Sequence, residues 1–389
     1  MHICVVAGTF HPETGGPPTY LYHLLPELIN RGHTLEVITY TDDPQPVTSS
    51  EEYPYTIYRV SRAQPIVVRL AILTWNVLRV GRRSDVIFAS EYGLPAALAG
   101  KVLRKPVVIK IVGDFAWEFS IRHRWLRSGV SIDEFQVQAS TLRVNFLKGL
   151  RSWYVRAASA VIVPSRYIGR LVSRWGADHG RLRIIYNALA LGQFTSLPDQ
   201  STARARLGLP DGTQLILTVA RMTPWKGLAD IIRALSMVQT MIPDTQLLII
   251  GDGPERTDLE KLAYDQKGVT RFLGNQSSDQ VHQYIRASDV FVLFSTYEGM
   301  PHTVLEAMAV KTPVIASQVG GTVEVIEHDL TGLLVHPGDI TGLATEICRL
   351  LSNPHTGSRL TKAAFANLAK FSWDTLVNET EGVLREVVK

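Results

Sequence analysis

Cysteine is scarce in this chain of 389 residues: there are two, Cys4 and Cys348. Both stand in apolar surroundings far apart in sequence, which excludes a disulfide framework and favours reduced core thiols. Neither belongs to a metal-ligand spacing, and no metal or cofactor is expected. No stretch reaches the uninterrupted apolar length of a membrane-spanning helix. The chain begins directly on a short apolar strand, without a basic stretch followed by a long apolar run, so it reads as a cytoplasmic protein. Low-complexity tracts are missing, and so is the Gly-x-Gly-x-x-Gly dinucleotide fingerprint.

What is there is a globular composition, 46% hydrophobic and 20% charged, in a chain long enough for two domains. The net charge of +4 is unevenly spread. Residues 1–190 hold 23 basic against 14 acidic residues, and the remainder holds 17 against 22. A basic first half joined to an acidic second half points to different tasks for the two.

The hydrophobic pattern alternates short β-branched runs with helical stretches, as in parallel sheets flanked by helices. Strands are expected at Ile3–Ala7, Leu35–Thr39, Ile57–Val60, Val86–Ala89, Val107–Val112 and Ala160–Pro164. Helices are expected at Pro18–Arg31, Val67–Val80, Pro95–Leu103, Leu142–Ala157 and Arg166–Trp175, with a less regular excursion over Asp114–Ser140. The polar stretch Leu197–Ser201 reads as an interdomain linker. A second series follows, with strands at Leu215–Val219, Leu247–Ile250, Thr270–Phe272, Val290–Phe294, Val314–Ala316 and Gly332–Val335. The expected fold class is α/β: two tandem doubly wound, Rossmann-like domains facing across a cleft, which bind ligands at the carboxyl ends of their strands. The domains are read as 1–195 and 196–372, with a terminal helix over 373–389.

Chemistry concentrates in loops that follow strands. After Val290–Phe294 comes Ser295-Thr296-Tyr297-Glu298-Gly299-Met300-Pro301-His302-Thr303-Val304-Leu305-Glu306. Pro301 suits the first position of a helix, so the free N–H groups of His302, Thr303 and Val304 would attract an anion such as a diphosphate. Glu298 and Glu306 suit sugar and ribose hydroxyls, because carboxylates accept hydrogen bonds; a solvated loop residue and an ordinary cap are the plain alternatives. A glycosidase pair of carboxylates would leave that helix start without a purpose. After Leu215–Val219 come Arg221 and Lys226, a forked and a compact cation suited to a diphosphate leaving group, or else an ordinary basic loop. Gly15-Gly16-Pro17-Pro18, after the first strand, permits close backbone approach to a ligand or forms a simple turn. Gly251-Asp252-Gly253-Pro254 and Gly320-Gly321 with Glu324 close further strands in the same way.

Taken in order and spacing, these segments resemble the family-4 retaining glycosyltransferases of the GT-B fold. The resemblance runs over nearly the whole chain and is most specific across residues 215–340, where the family's paired glutamates fall on Glu298 and Glu306. It implies that Arg221 and Lys226 neutralise the donor diphosphate, that Glu298 holds hydroxyls of the transferred sugar, and that Glu306 holds the ribose. It places Gly16 near the donor phosphates, counts Met300 with the donor-binding residues, and sends helix Trp373–Val388 back onto the first domain. It further implies transfer of a hexose from a nucleotide-diphosphate sugar to a hydroxyl acceptor, lipid-linked or glycan, with retention and without a metal. The sequence departs from the family where many members carry a sugar-contacting His: here stands Val112-Gly113-Asp114. Asp114 is its substitute near the sugar or acceptor, or a helix cap.

Arg122, His123, Arg124, Trp125 and Arg127, then the basic stretch Leu142–Arg156, suggest peripheral contact with an anionic membrane on its inner face; a core-facing stripe with solvated arginines is the alternative. No nucleic-acid motif accompanies this basicity, and the acidic second half would repel a long polyanion. Two rival functions stay open: an epimerase or hydrolase acting on nucleotide sugars, and a silent nucleotide-sugar-binding protein.

Overall fold

The computed structural model describes residues 1–13, 15–43, 53–127, 129–266 and 269–389. The chain divides into two compact units, Met1–Tyr186 together with Asp374–Lys389, and Asn187–Trp373.

The first unit is built on seven strands, β1 (His2–Ala7), β2 (Thr34–Thr41), β3 (Thr56–Ser61), β4 (Val86–Ser90), β5 (Val107–Lys110), β6 (Ala160–Val163) and β7 (Leu182–Ile184). They form one parallel sheet in the order β3-β2-β1-β4-β5-β6-β7. Strands buried on both faces read as continuous apolar runs rather than alternating ones; Ile3 to Ala7 and Val86 to Ala89 are all fully buried. The helices are α1 (Gly16–Asn30), α2 (Ile66–Gly81), α3 (Gly93–Leu103), α4 (Phe115–Arg122), α5 (Ile132–Val137), α6 (Leu142–Ala157) and α7 (Arg166–Arg174). The excursion over Asp114–Ser140 (Ser128 lies outside the described residues) contains two short helices. Ser131 and Glu134 close α5 with a reciprocal capping box, each satisfying an N–H that the helix start leaves open.

The second unit holds α8 (Gln200–Leu207), β8 (Gln214–Val219), α9 (Leu228–Met241), β9 (Thr245–Ile250), α10 (Arg256–Leu262), β10 (Thr270–Gly274), α11 (Ser278–Ala287) and β11 (Val290–Leu293). It continues through α12 (His302–Ala309), β12 (Val314–Ser317), α13 (Thr322–Val325), β13 (Leu333–Val335), α14 (Ile340–Ser352) and α15 (Pro354–Asn367). Its parallel sheet runs β10-β9-β8-β11-β12-β13. The core joins Ile216, Leu247, Val292 and Ile315 from the strands to Ile231, Leu235 and Ile347 from α9 and α14. The order reverses between β8 and β11, and a doubly wound sheet opens its ligand crevice at such a point.

The last helix, α16 (Trp373–Val388), lies almost wholly in the first unit. Glu381 on it accepts from Arg31 at 2.7 Å and contacts the His33 ring nitrogen at 2.9 Å. Burial raises the Glu381 carboxyl, but hydrogen bonds from Arg31, His33 and Arg385 outweigh it and hold the group down at about 2.

The two-sheet α/β class expected from sequence is the class observed. Two details are corrected. Leu197–Ser201 is not a linker: Asp199 accepts from Thr202 N at 2.8 Å and starts α8. Arg204 on α8 then pairs with Asp289 at 2.7 Å, so the stretch is fixed within the second unit. The division falls at Tyr186/Asn187, ahead of the expected 195/196. Strand β7, short and partly exposed at the sheet edge, was not anticipated.

Candidate functional site

The carboxyl ends of β8, β9, β10, β11 and β12 are tied together by backbone hydrogen bonds between their loops. Met222 N donates to Asp252 O at 2.9 Å, Gly251 N to Gly274 O at 2.9 Å, Thr296 N to Trp225 O at 2.8 Å, and Gly321 N to Glu298 O at 2.9 Å. Such close approach requires glycine. A Cβ on Gly321 would stand 1.9 Å from Gly299 O, and one on Gly227, where φ is +62°, would stand 2.0 Å from Phe294 O. Both clashes are with backbone, which has no rotamer to yield. Gly321→Ala is therefore expected to lower the unfolding free energy by about 3 kcal/mol, the upper end of overpacking costs. Urea denaturation checks this, and an unchanged midpoint would contradict the loop arrangement.

Lys226 sits in the loop after β8 and Glu298 in the loop after β11, so they flank the reversal of strand order. Lys226 Nζ donates to Glu298 Oε1 at 2.6 Å, and Ser295 Oγ donates to the same oxygen at 2.6 Å. Glu298 is 7% exposed, yet both donors converge on Oε1. Its Oε2 accepts none of the hydrogen bonds found among the described residues and remains available to a ligand hydroxyl. Arg221, at the start of the same loop as Lys226, is exposed and forms no ion pair among the described residues. A buried carboxylate held by a lysine and a hydroxyl, with a second cation in the lysine's loop, is suited to bind a polyol that carries an anionic group.

Helix α12 begins at His302, with Pro301 at the cap position rather than inside the helix, and without a side-chain cap. The first-turn N–H groups of Thr303 and Val304 thus lack a capping side chain, and the helix start favours negative charge. Pro301 was expected one position later; its φ of −77° suits either place, and ψ of 113° puts it outside the helix. Met300 is buried, and its carbonyl accepts from Asn187 Nδ2 at 3.0 Å, which fixes the turn into α12. Glu306 lies within α12; its Oε1 is 3.9 Å from His282 Nε2 on α11.

The second unit thus gathers Arg221, Lys226, Glu298, Met300, His302, Thr303, Val304 and Glu306 on the loops and helix that follow β8 and β11. Gly16 and Asp114 belong to the first unit. Gly16 is the first residue of α1, after Gly15 with φ of 140°. Asp114 was read either as a substitute near the sugar or acceptor or as a helix cap. It is fully buried, caps α4 by accepting from Ala116 N at 3.0 Å, accepts from Gln136 Nε2 at 2.9 Å, and forms an ion pair with Arg151. Its acceptor capacity is engaged within the protein. Of the cap and ligand alternatives, the cap is the one observed.

Sequence reasoning passed over Ser295, Asn187 and Arg151. Ser295 stood inside the quoted stretch, and its place three residues before Glu298 was the available signal. Nothing local links Asn187 to Met300 or Arg151 to Asp114. The basic stretch of α6 also divides: Arg151 and Tyr154 are buried, whereas Leu142 and Phe146 are exposed. No cluster of three or more His, Cys, Asp or Glu suited to a metal ion occurs among the described residues.

The family model for glycosyl transferases group 1 matches residues 199–366, and that for glycosyltransferase family 4 matches residues 14–192. A glycosyltransferase of Methanocaldococcus jannaschii is 33% identical over 220 residues, 55% of this chain and 56% of that protein. The sulfoquinovosyl transferase of Arabidopsis thaliana is 32% identical over 344 residues, 84% of this chain and 61% of that protein. The chain therefore spans less than two thirds of the length of either relative. In fold it is similar to HepE of Anabaena, solved with UDP and glucose, at a TM-score of 0.80 and 21% identity, covering 99% of this chain and 100% of that one. With one model matching each half, the chain belongs to glycosyltransferase family 4.

Proposed function

We propose that this chain transfers a hexosyl group from a nucleotide-diphosphate sugar to a hydroxyl acceptor, with retention of anomeric configuration and without a metal. The observation that carries the reading is the Lys226–Glu298–Ser295 constellation at the strand-order reversal, with Arg221 in the same loop as Lys226. As the bond from the sugar's anomeric carbon to the diphosphate breaks, negative charge grows on the departing phosphate. Arg221, Lys226 and the start of α12 stand ready to stabilise it, and stabilisation of developing charge is the largest catalytic contribution such a site can make. Glu298 Oε2 accepts a hydroxyl of the transferred sugar, and Glu306 those of the ribose. The acceptor hydroxyl attacks from the face that the diphosphate leaves, and its proton passes to the leaving phosphate oxygen. No protein nucleophile is required.

The test uses slow donor hydrolysis, in which water serves as acceptor. The first sugar released from an α-linked donor should be the α anomer by NMR, at a rate that EDTA does not change. First release of the β anomer would remove retention. Loss of activity with EDTA, restored by a divalent ion, would remove metal independence.

A further inference from the structure

The layer formed by α2, α3 and α6 in the first unit carries no acidic side chain. Over their 16, 11 and 16 residues there is not one Asp or Glu, while Arg79, Lys101, Arg143 and Arg156 are exposed. The same layer exposes large apolar side chains: Val67 is 73% exposed, Trp75 65%, Val102 70%, Leu142 89% and Phe146 69%. Helix α2 is apolar on both sides. Leu73, Val77 and Val80 face the core, while Ile66, Val67, Ile72 and Trp75 remain exposed. A helix apolar all round is ordinarily buried, and an exposed apolar patch of this kind marks an interaction surface. Between α2 and α3 runs a shallow groove lined by Leu70, Ala71, Trp75, Leu78, Leu94 and Leu98.

We infer that this face seats the protein on an anionic lipid bilayer. Apolar side chains flanked by cations, with no acid among them, match the acyl boundary and the negative headgroups together. A second copy docking through the same face would set cation against cation, which disfavours a two-fold dimer here. A nucleic acid would match the cations but leave Val67, Trp75 and Phe146 without a partner. No helix among the described residues is long and apolar enough to cross a membrane, so the contact is one of lying on the surface. Arg79 stands 4.7 Å over the Tyr58 ring and Arg143 5.9 Å from the Trp125 ring, contacts that hold their guanidinium groups at the surface. The inference rests on the first unit alone and does not depend on the donor chemistry.

The test is vesicle flotation of the full chain, with vesicles of phosphatidylcholine alone and of phosphatidylcholine mixed with phosphatidylglycerol. The chain should float with the mixed vesicles, not with the neutral ones, and high salt should weaken the association. Val67→Ser with Trp75→Ser, and separately Arg79→Glu with Lys101→Glu, should each lower binding by at least about tenfold without changing the thermal shift given by a nucleoside diphosphate. The charge-reversal pair involves exposed residues only, so it remains informative if the apolar pair misfolds. Wild-type protein that stays with the soluble fraction would overturn the inference, as would charge-reversal protein that floats like wild type. Concentration-dependent dimerisation abolished by the Trp75 change, without vesicle binding, would overturn it in favour of self-association.

Discussion

Lys226→Ala is expected to lower kcat by about 10²–10³-fold, the effect of removing one preorganised donor from developing negative charge. The ammonium is already in place before any ligand arrives, anchored at 2.6 Å on Glu298. It therefore needs little reorganisation as the diphosphate departs. The variant should fold, because Lys226 is partly solvent-accessible and Glu298 keeps its bond from Ser295. Donor KM should change less than kcat, since the charge that Lys226 meets is larger in the transition state than in the bound donor. Steady-state kinetics on variant and wild type measure both quantities. A kcat close to wild type in a folded variant would remove Lys226 from the leaving-group role.

Asp114→Ala should act on the other side of the ledger between folding and chemistry. Truncation leaves Arg151, 4% exposed, as an unpaired buried cation, and breaking a buried pair from one side costs about 3–5 kcal/mol. It also removes the cap of α4, so urea denaturation should show a large loss of stability. Arg151→Met combined with Asp114→Ala should recover part of it, because the stranded charge goes too. At a temperature where the single variant remains folded, its kcat should stay within a few-fold of wild type. Loss of turnover with unchanged stability would instead return Asp114 to the substrate.

These two residues also show what was legible in the sequence. The doubly wound units were readable because buried parallel strands such as Ile3–Ala7 and Leu247–Ile250 are continuous apolar runs with helical stretches between them. Lys226, Glu298 and the α12 start were readable because each is local, lying within a few residues of a strand end. Asp114 was ambiguous because its partner Arg151 lies 37 residues away, and no local pattern reports so distant an ion pair. The same holds for Gly321 against Gly299, where a contact between two loops explains the glycine. Leu197–Ser201 was read as linker because it is polar, although Gln200 and Ser201 begin α8; the contact that fixes that helix, Arg204 reaching Asp289, is again tertiary. The α6 stretch read as amphipathic and basic, either a membrane-facing surface or a core-facing stripe with solvated arginines; burial of Arg151 beside exposure of Leu142 and Phe146 separated its structural part from its surface part.

The most direct test of the central claim is a thermal-shift titration of the purified chain with UDP, GDP and ADP, set beside the Arg221→Ala variant. Binding to the folded state stabilises it by RT ln(1 + [L]/Kd), about 2.7 kcal/mol when ligand stands at 100 times Kd. The account predicts a saturable rise in melting temperature with one of the three, sharply reduced in Arg221→Ala. No shift with any of them in a well-folded sample, or an equal shift in the variant, would contradict the assignment of the second unit's strand-end loops as the donor site.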